Sequence, residues 1–62
     1  MTKFEAVKYI TDKAGKKVSD AYLQKVARKR SWEALARILD FLQAEMVSAK
    51  FAYSVMTAGI YE

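Results

Sequence analysis

Apolar residues near the start of the chain recur with helical spacing. Phe4, Val7, Ile10 and Ala14 share one face, with Ala6 and Thr11 flanking it. Thr2 and Glu5 stand at the spacing of a capping box. In that motif the threonine hydroxyl accepts from the backbone N–H three residues on, and the glutamate reaches back to the threonine N–H. Gly15 supplies the left-handed residue that ends a helix at least cost. The spacing predicts a first helix over residues 3–14.

A second helix is predicted over residues 20–30. Ser19 or Asp20 starts it as N-cap, Tyr22, Leu23, Val26 and Ala27 form its apolar stripe, and Lys29 and Arg30 sit where cations suit the negative end of the macrodipole. Ser31 is placed to cap a further helix, with Glu33 in its first turn. Arg30 and Ser31 also tolerate a helix interior, so the pattern allows one continuous rod there as well.

From Trp32 onward no glycine or proline intervenes until Gly59, which predicts a third helix over residues 32–58. At ~1.5 Å per residue it is roughly 40 Å long, while each earlier helix is under about 20 Å. One face collects Trp32, Leu35, Ile38, Leu39, Leu42, Met46, Ala49, Tyr53 and Met56. The opposite sector begins polar, with Glu33, Arg37 and Asp40, and then turns apolar at Val47, Phe51 and Val55. Such a helix is one-sided at its start and two-sided at its end. Either the C-terminal half bends back, or the first helix covers it, or Val47, Phe51 and Val55 meet a partner. Contiguous exposed apolar surface usually marks an interface, so the last is the expectation, most simply with a second copy. The predicted fold class is all-α: a three-helix bundle of two short helices and one long C-terminal helix, a single domain over residues 1–62, paired as a homodimer.

Composition points the same way. The chain has 62 residues, of which 53% are hydrophobic, and it contains neither cysteine nor histidine. A domain this small buries only about 60% of its unfolded surface. Small scaffolds usually add a staple, and here disulfides and the usual metal ligands are ruled out by residue type, which leaves association. The segment after Met1 is interrupted by Glu5, Lys8 and Asp12, unlike a signal peptide, and no run reaches the ~18 apolar residues of a membrane span. The expectation is a cytoplasmic protein with no membrane partner.

Charge is concentrated. Of a net +4, residues 13–30 hold seven cations (Lys13, Lys16, Lys17, Lys25, Arg28, Lys29, Arg30) against Asp20 alone. Residues 1–12 balance, and residues 31–62 are mildly acidic. On the second helix Gln24, Lys25, Arg28 and Lys29 project opposite the apolar stripe, after a linker that carries Lys16 and Lys17. Cations that displace counterions from phosphates, with a long Arg or Gln able to reach base edges, are what a nucleic-acid binder requires. Two helices joined by a short linker also give the outline of a helix-turn-helix, although six residues from Gly15 to Asp20 make a looser connection than usual. A solvated face and an acidic protein partner are the competing readings of the same cations.

Nothing in the chain suggests catalysis. Without histidine there is no ordinary neutral general base, and without cysteine no thiol nucleophile. Glu33, Asp40 and Glu45 face different directions on the third helix, and two distant glycines cannot build a phosphate loop. No cofactor, metal or small-molecule substrate is expected. The functional expectation is a small regulatory protein that binds DNA as a homodimer. Lys16, Lys17, Lys25 and Lys29 would lie on phosphates, Arg28 on phosphates and base edges, and Gln24 on base edges. The alternative is an adaptor or inhibitor that engages a partner protein through Val47, Phe51 and Val55.

Overall fold

The computed structural model describes residues 1–60; Tyr61 and Glu62, which the sequence reading includes in the domain and the charge balance, lie outside the described residues. Four helices follow in order: α1 Lys3–Lys13, α2 Asp20–Lys29, α3 Trp32–Gln43 and α4 Ala49–Thr57, with no strand among the described residues.

Local chemistry sets each boundary. The Glu5 N–H donates to Thr2 Oγ1 at 3.1 Å, and the Thr2 N–H donates to Glu5 Oε1 at 2.7 Å, the two halves of the capping box. Hydrogen bonding by Thr2, from its backbone N–H first and its side chain second, holds the Glu5 carboxyl below its ordinary range. Ser19, Ser31 and Ser48 cap the other three helices, each hydroxyl accepting from the N–H three residues on. Arg30 and Ser31 are both extended in backbone conformation, so α2 and α3 are separate helices.

The expected long third helix does not exist. The longest dimension of the protein is 29 Å, short of the roughly 40 Å that an unbroken helix over 32–58 would need. The chain stops helical growth at Gln43 and resumes at Ala49. The stop is a Schellman motif: the Met46 N–H donates to the Phe41 carbonyl at 2.9 Å, and the Glu45 N–H to the Leu42 carbonyl at 3.1 Å. Glu45 occupies the left-handed position with φ +58. The same motif closes α1, where the Lys16 N–H reaches Thr11 and the Gly15 N–H reaches Asp12, with Gly15 at φ +71.

Folding back at residues 44–48 lets α4 pack against both α1 and α3. Helix α1 is the centre of the bundle and touches all three others, with Ala6, Val7 and Ile10 fully buried. Around it gather Leu23, Val26 and Ala27 from α2, Leu35 and Leu39 from α3, Ala52 and Met56 from α4, and Ile60. Alanines on three of these helices allow close approach of their backbones. Helix α2 leans mainly on α1 and makes little contact with α3 or α4, which leaves it at the periphery.

The break changes which residues are inside. Trp32 and Met46, expected on the core face of one long helix, are exposed. Met46 lies in the connecting turn, and Trp32 opens α3 on the flank of its Leu35–Leu39 stripe. Tyr9 is half-buried against the core with the Lys13 ammonium 5.6 Å from its ring centre.

Candidate nucleic-acid interface and apolar groove

Two surfaces stand out, built from different elements. The first is the outer side of α2 and the linker before it. Leu23, Val26 and Ala27 face α1, and helical spacing therefore turns Gln24 and Arg28, one turn apart, to solvent. Lys16, Lys17, Gln24, Arg28 and Lys29 are all exposed. Among the described residues no carboxylate forms an ion pair with Lys17, Arg28 or Lys29; the pairs present are Lys8–Asp12 and Glu33–Arg37, both one helical turn apart. Lys16 folds over the ring of Tyr53, 5.6 Å from its centre, which ties the linker to α4. Lys25 departs from the expected pattern: it is half-buried and already engaged, and so is a poorer candidate for a free contact.

Arg30 belongs to the fold rather than to this face. Its Nε donates to the Met56 carbonyl at 2.8 Å, and its Nη2 donates to the carbonyls of Val55, at 3.4 Å, and of Ala58. A helix end leaves its last carbonyls short of partners, and one guanidinium reaches three carbonyls here, of which that of Val55 also accepts from the Ala58 N–H at 3.4 Å. The sequence gives no sign of this, because the partners are 25 to 28 positions away.

The second surface is a groove between α3 and α4. Ile38 and Phe41 line one side, Phe51 and Val55 the other, with Val47 and Ala52 completing an entirely apolar lining. Of the expected stripe, Phe51 is 56% exposed and Val55 41%, but Val47 is half-buried and packs on the core. The stripe as a continuous strip on one rod is thus corrected: Val47 sits in the connecting turn, outside both helices. Phe41, 40% exposed, joins the patch from outside the predicted stripe. Its signal was available in the i,i+3 spacing from Ile38 on the flank of α3.

A broader hollow of about 660 Å³ opens between the end of α1 and the α3–α4 turn, where its lining includes Tyr9, Lys13, Glu45 and Met46. It holds one carboxylate and one ammonium, and that ammonium is already turned toward the Tyr9 ring. Among the described residues no group of three or more acidic, histidine or cysteine side chains is placed to hold a metal ion. No described helix is long and apolar enough to cross a membrane. Comparison of the chain with protein families, with curated proteins and with solved structures returns no match.

Proposed function

We propose that this chain is a small non-enzymatic regulatory protein that binds DNA through the linker and outer face of α2, and that it works as a homodimer. The observation that carries the reading is the exposure of Lys16 and Lys17 in the linker and of Gln24, Arg28 and Lys29 on α2, a helix at the periphery of the bundle. A helix of ten residues spans about 15 Å, and the major groove of B-DNA is about 12 Å wide, so α2 is the element with the reach and freedom to enter it. Lys16, Lys17 and Lys29 are assigned to phosphates, and Gln24 and Arg28 to base edges. Lys25 contributes to the local positive field.

Anisotropy of a labelled duplex, titrated with protein at several salt concentrations, tests the assignment. Binding should weaken steeply with salt, and each of Lys17→Gln and Lys29→Gln should reduce the slope of log K against log salt by about 0.9 per bound copy, while Arg28→Gln should weaken discrimination between duplex sequences and leave the slope nearly unchanged. Absence of binding at low salt would remove the DNA reading.

A second reading rests on a different observation. Phe41, Phe51 and Val55 stay exposed around an apolar groove in a protein too small to spare such surface. On that reading the chain is an adaptor or inhibitor that docks a partner protein in the α3–α4 groove, and the cations of α2 steer encounter.

A further inference from the structure

We propose that Trp32 stacks on an unpaired base, so that the preferred target is DNA in which a single-stranded segment adjoins the duplex. This rests on the DNA reading above and specifies the kind of DNA.

Trp32 is the one tryptophan of the chain and stands 44% exposed at the first position of α3. Leu35 and Leu39 carry the inner face of that helix, and the indole lies outside the cluster they join. A single exposed ring does not select a ligand, because apolar atoms are common on any protein surface. Its surroundings do.

Arg30 and Ser31, both extended, connect α2 to α3. Lys29 stands three positions before Trp32, so their Cα atoms are at most about 11 Å apart. From α1, Lys3 donates from Nζ to the Arg30 carbonyl at 3.4 Å, two positions before the indole. An ammonium has three donors, so this bond leaves Lys3 able to meet an anion as well. Lys3, Arg28 and Lys29 are all exposed, the last two in the final turn of α2. The carboxylates closest in sequence to Trp32 and Lys3 are engaged elsewhere: Glu33 lies 3.9 Å from Arg37, and Glu5 accepts from the Thr2 N–H. The basic face of α2 therefore runs into a corner that holds an exposed ring and cations from two elements.

Such a corner suits a strand of nucleic acid, whose phosphates meet lysines while its bases stack on aromatic rings. A purely apolar partner would bury Lys3 and Lys29 without counter-charges. An acidic peptide would satisfy the lysines and leave the flat face of the indole unmatched. Within an intact duplex each base is covered on both faces by its neighbours, so the indole reaches a bare face only where a base is unpaired. Stacking of this kind tolerates any base, which separates it from the reading of base edges assigned to Gln24 and Arg28.

Three duplexes of one sequence test the inference by anisotropy at low salt. One is blunt, one is extended at one end by a run of thymidines, and one by the same number of abasic residues, which supply the phosphates without the bases. Tryptophan emission is read alongside with unlabelled DNA, and it reports on Trp32 alone. The thymidine extension should bind about tenfold tighter than the abasic one and quench the emission. Trp32→Ala should remove that difference, whereas Lys17→Gln should weaken both extended duplexes by the same factor and keep it. Equal affinity for the two extensions overturns the inference, as does a difference that survives in Trp32→Ala, or emission that the thymidine extension leaves unchanged. Should Trp32→Ala lose its far-UV circular dichroism, the affinities and emission of the native chain decide. In each of those results the blunt duplex still binds, whereas failure of the DNA reading itself, which overturns both, leaves every duplex unbound.

Discussion

Arg30 donates from its guanidinium to the Met56 carbonyl at 2.8 Å and so joins the end of α2 to the end of α4. Charge-assisted hydrogen bonds to otherwise unsatisfied carbonyls contribute more than neutral ones. Arg30→Ala should cost about 2 kcal/mol in urea unfolding and fray the last turn of α4 in amide exchange. Arg30→Lys should restore less than half of that, because a single ammonium cannot follow the planar fork. A loss under about 0.5 kcal/mol would show that water satisfies those carbonyls equally well.

Glu45 and Gly15 occupy the same position of the same helix-ending motif, at φ +58 and +71. A side chain in the left-handed region costs on the order of 1 kcal/mol. Glu45→Gly should therefore raise stability by about 0.5–1 kcal/mol, and Gly15→Ala should lower it by about 1 kcal/mol. Nothing lies within 4 Å of a Cβ added at Gly15, so the second effect is one of backbone conformation alone. Opposite signs in paired thermal melts would bear this out; equal signs would contradict it.

These two residues also show how far the fold was legible. Gly15 marks its helix end by residue type, whereas Glu45 does the same work with a residue that normally favours helix, so residue type alone predicts one unbroken helix there. Helical spacing hides the break, because Leu35, Leu39 and Met56 fall on one face of a continuous rod as readily as on the inner faces of two helices. The visible sign is the second stripe at Val47, Phe51 and Val55, which a helix packed on one side does not need. Ser48, a sound N-cap, was the matching start signal. The exposed cations of α2 could be read from helical spacing, but the half-burial of Lys25 and the diversion of Arg30 depend on how α2 and α4 meet.

Thr11 is 2% exposed, and its hydroxyl has no hydrogen-bond partner among the described residues. An unsatisfied buried hydroxyl costs about 1–3 kcal/mol, so Thr11→Val, which keeps the shape and removes the polar atom, should stabilise the fold by about 1 kcal/mol. Destabilisation in chemical denaturation would mean that the hydroxyl finds a partner in solution.

The capping box makes α1 sensitive to acid. The Glu5 carboxyl titrates lower in the folded chain than in the unfolded one. Its contribution is therefore present above the unfolded value, ordinarily about 4.3, and is lost as pH falls through the folded value. The melting temperature of the native chain should exceed that of Glu5→Gln at pH 7, and the gap should narrow as pH falls below the unfolded value. A gap that does not narrow in acid would assign the cap to geometry alone.

The central claim is that the outer face of α2 is where DNA is met. Two-dimensional ¹⁵N–¹H spectra of the labelled protein, titrated with a short duplex at low salt, test it at residue level. The largest shifts should fall on Lys16, Lys17, Gln24, Arg28 and Lys29, with Phe51 and Val55 little changed. An unperturbed spectrum, or shifts gathered around the α3–α4 groove instead, would contradict the assignment.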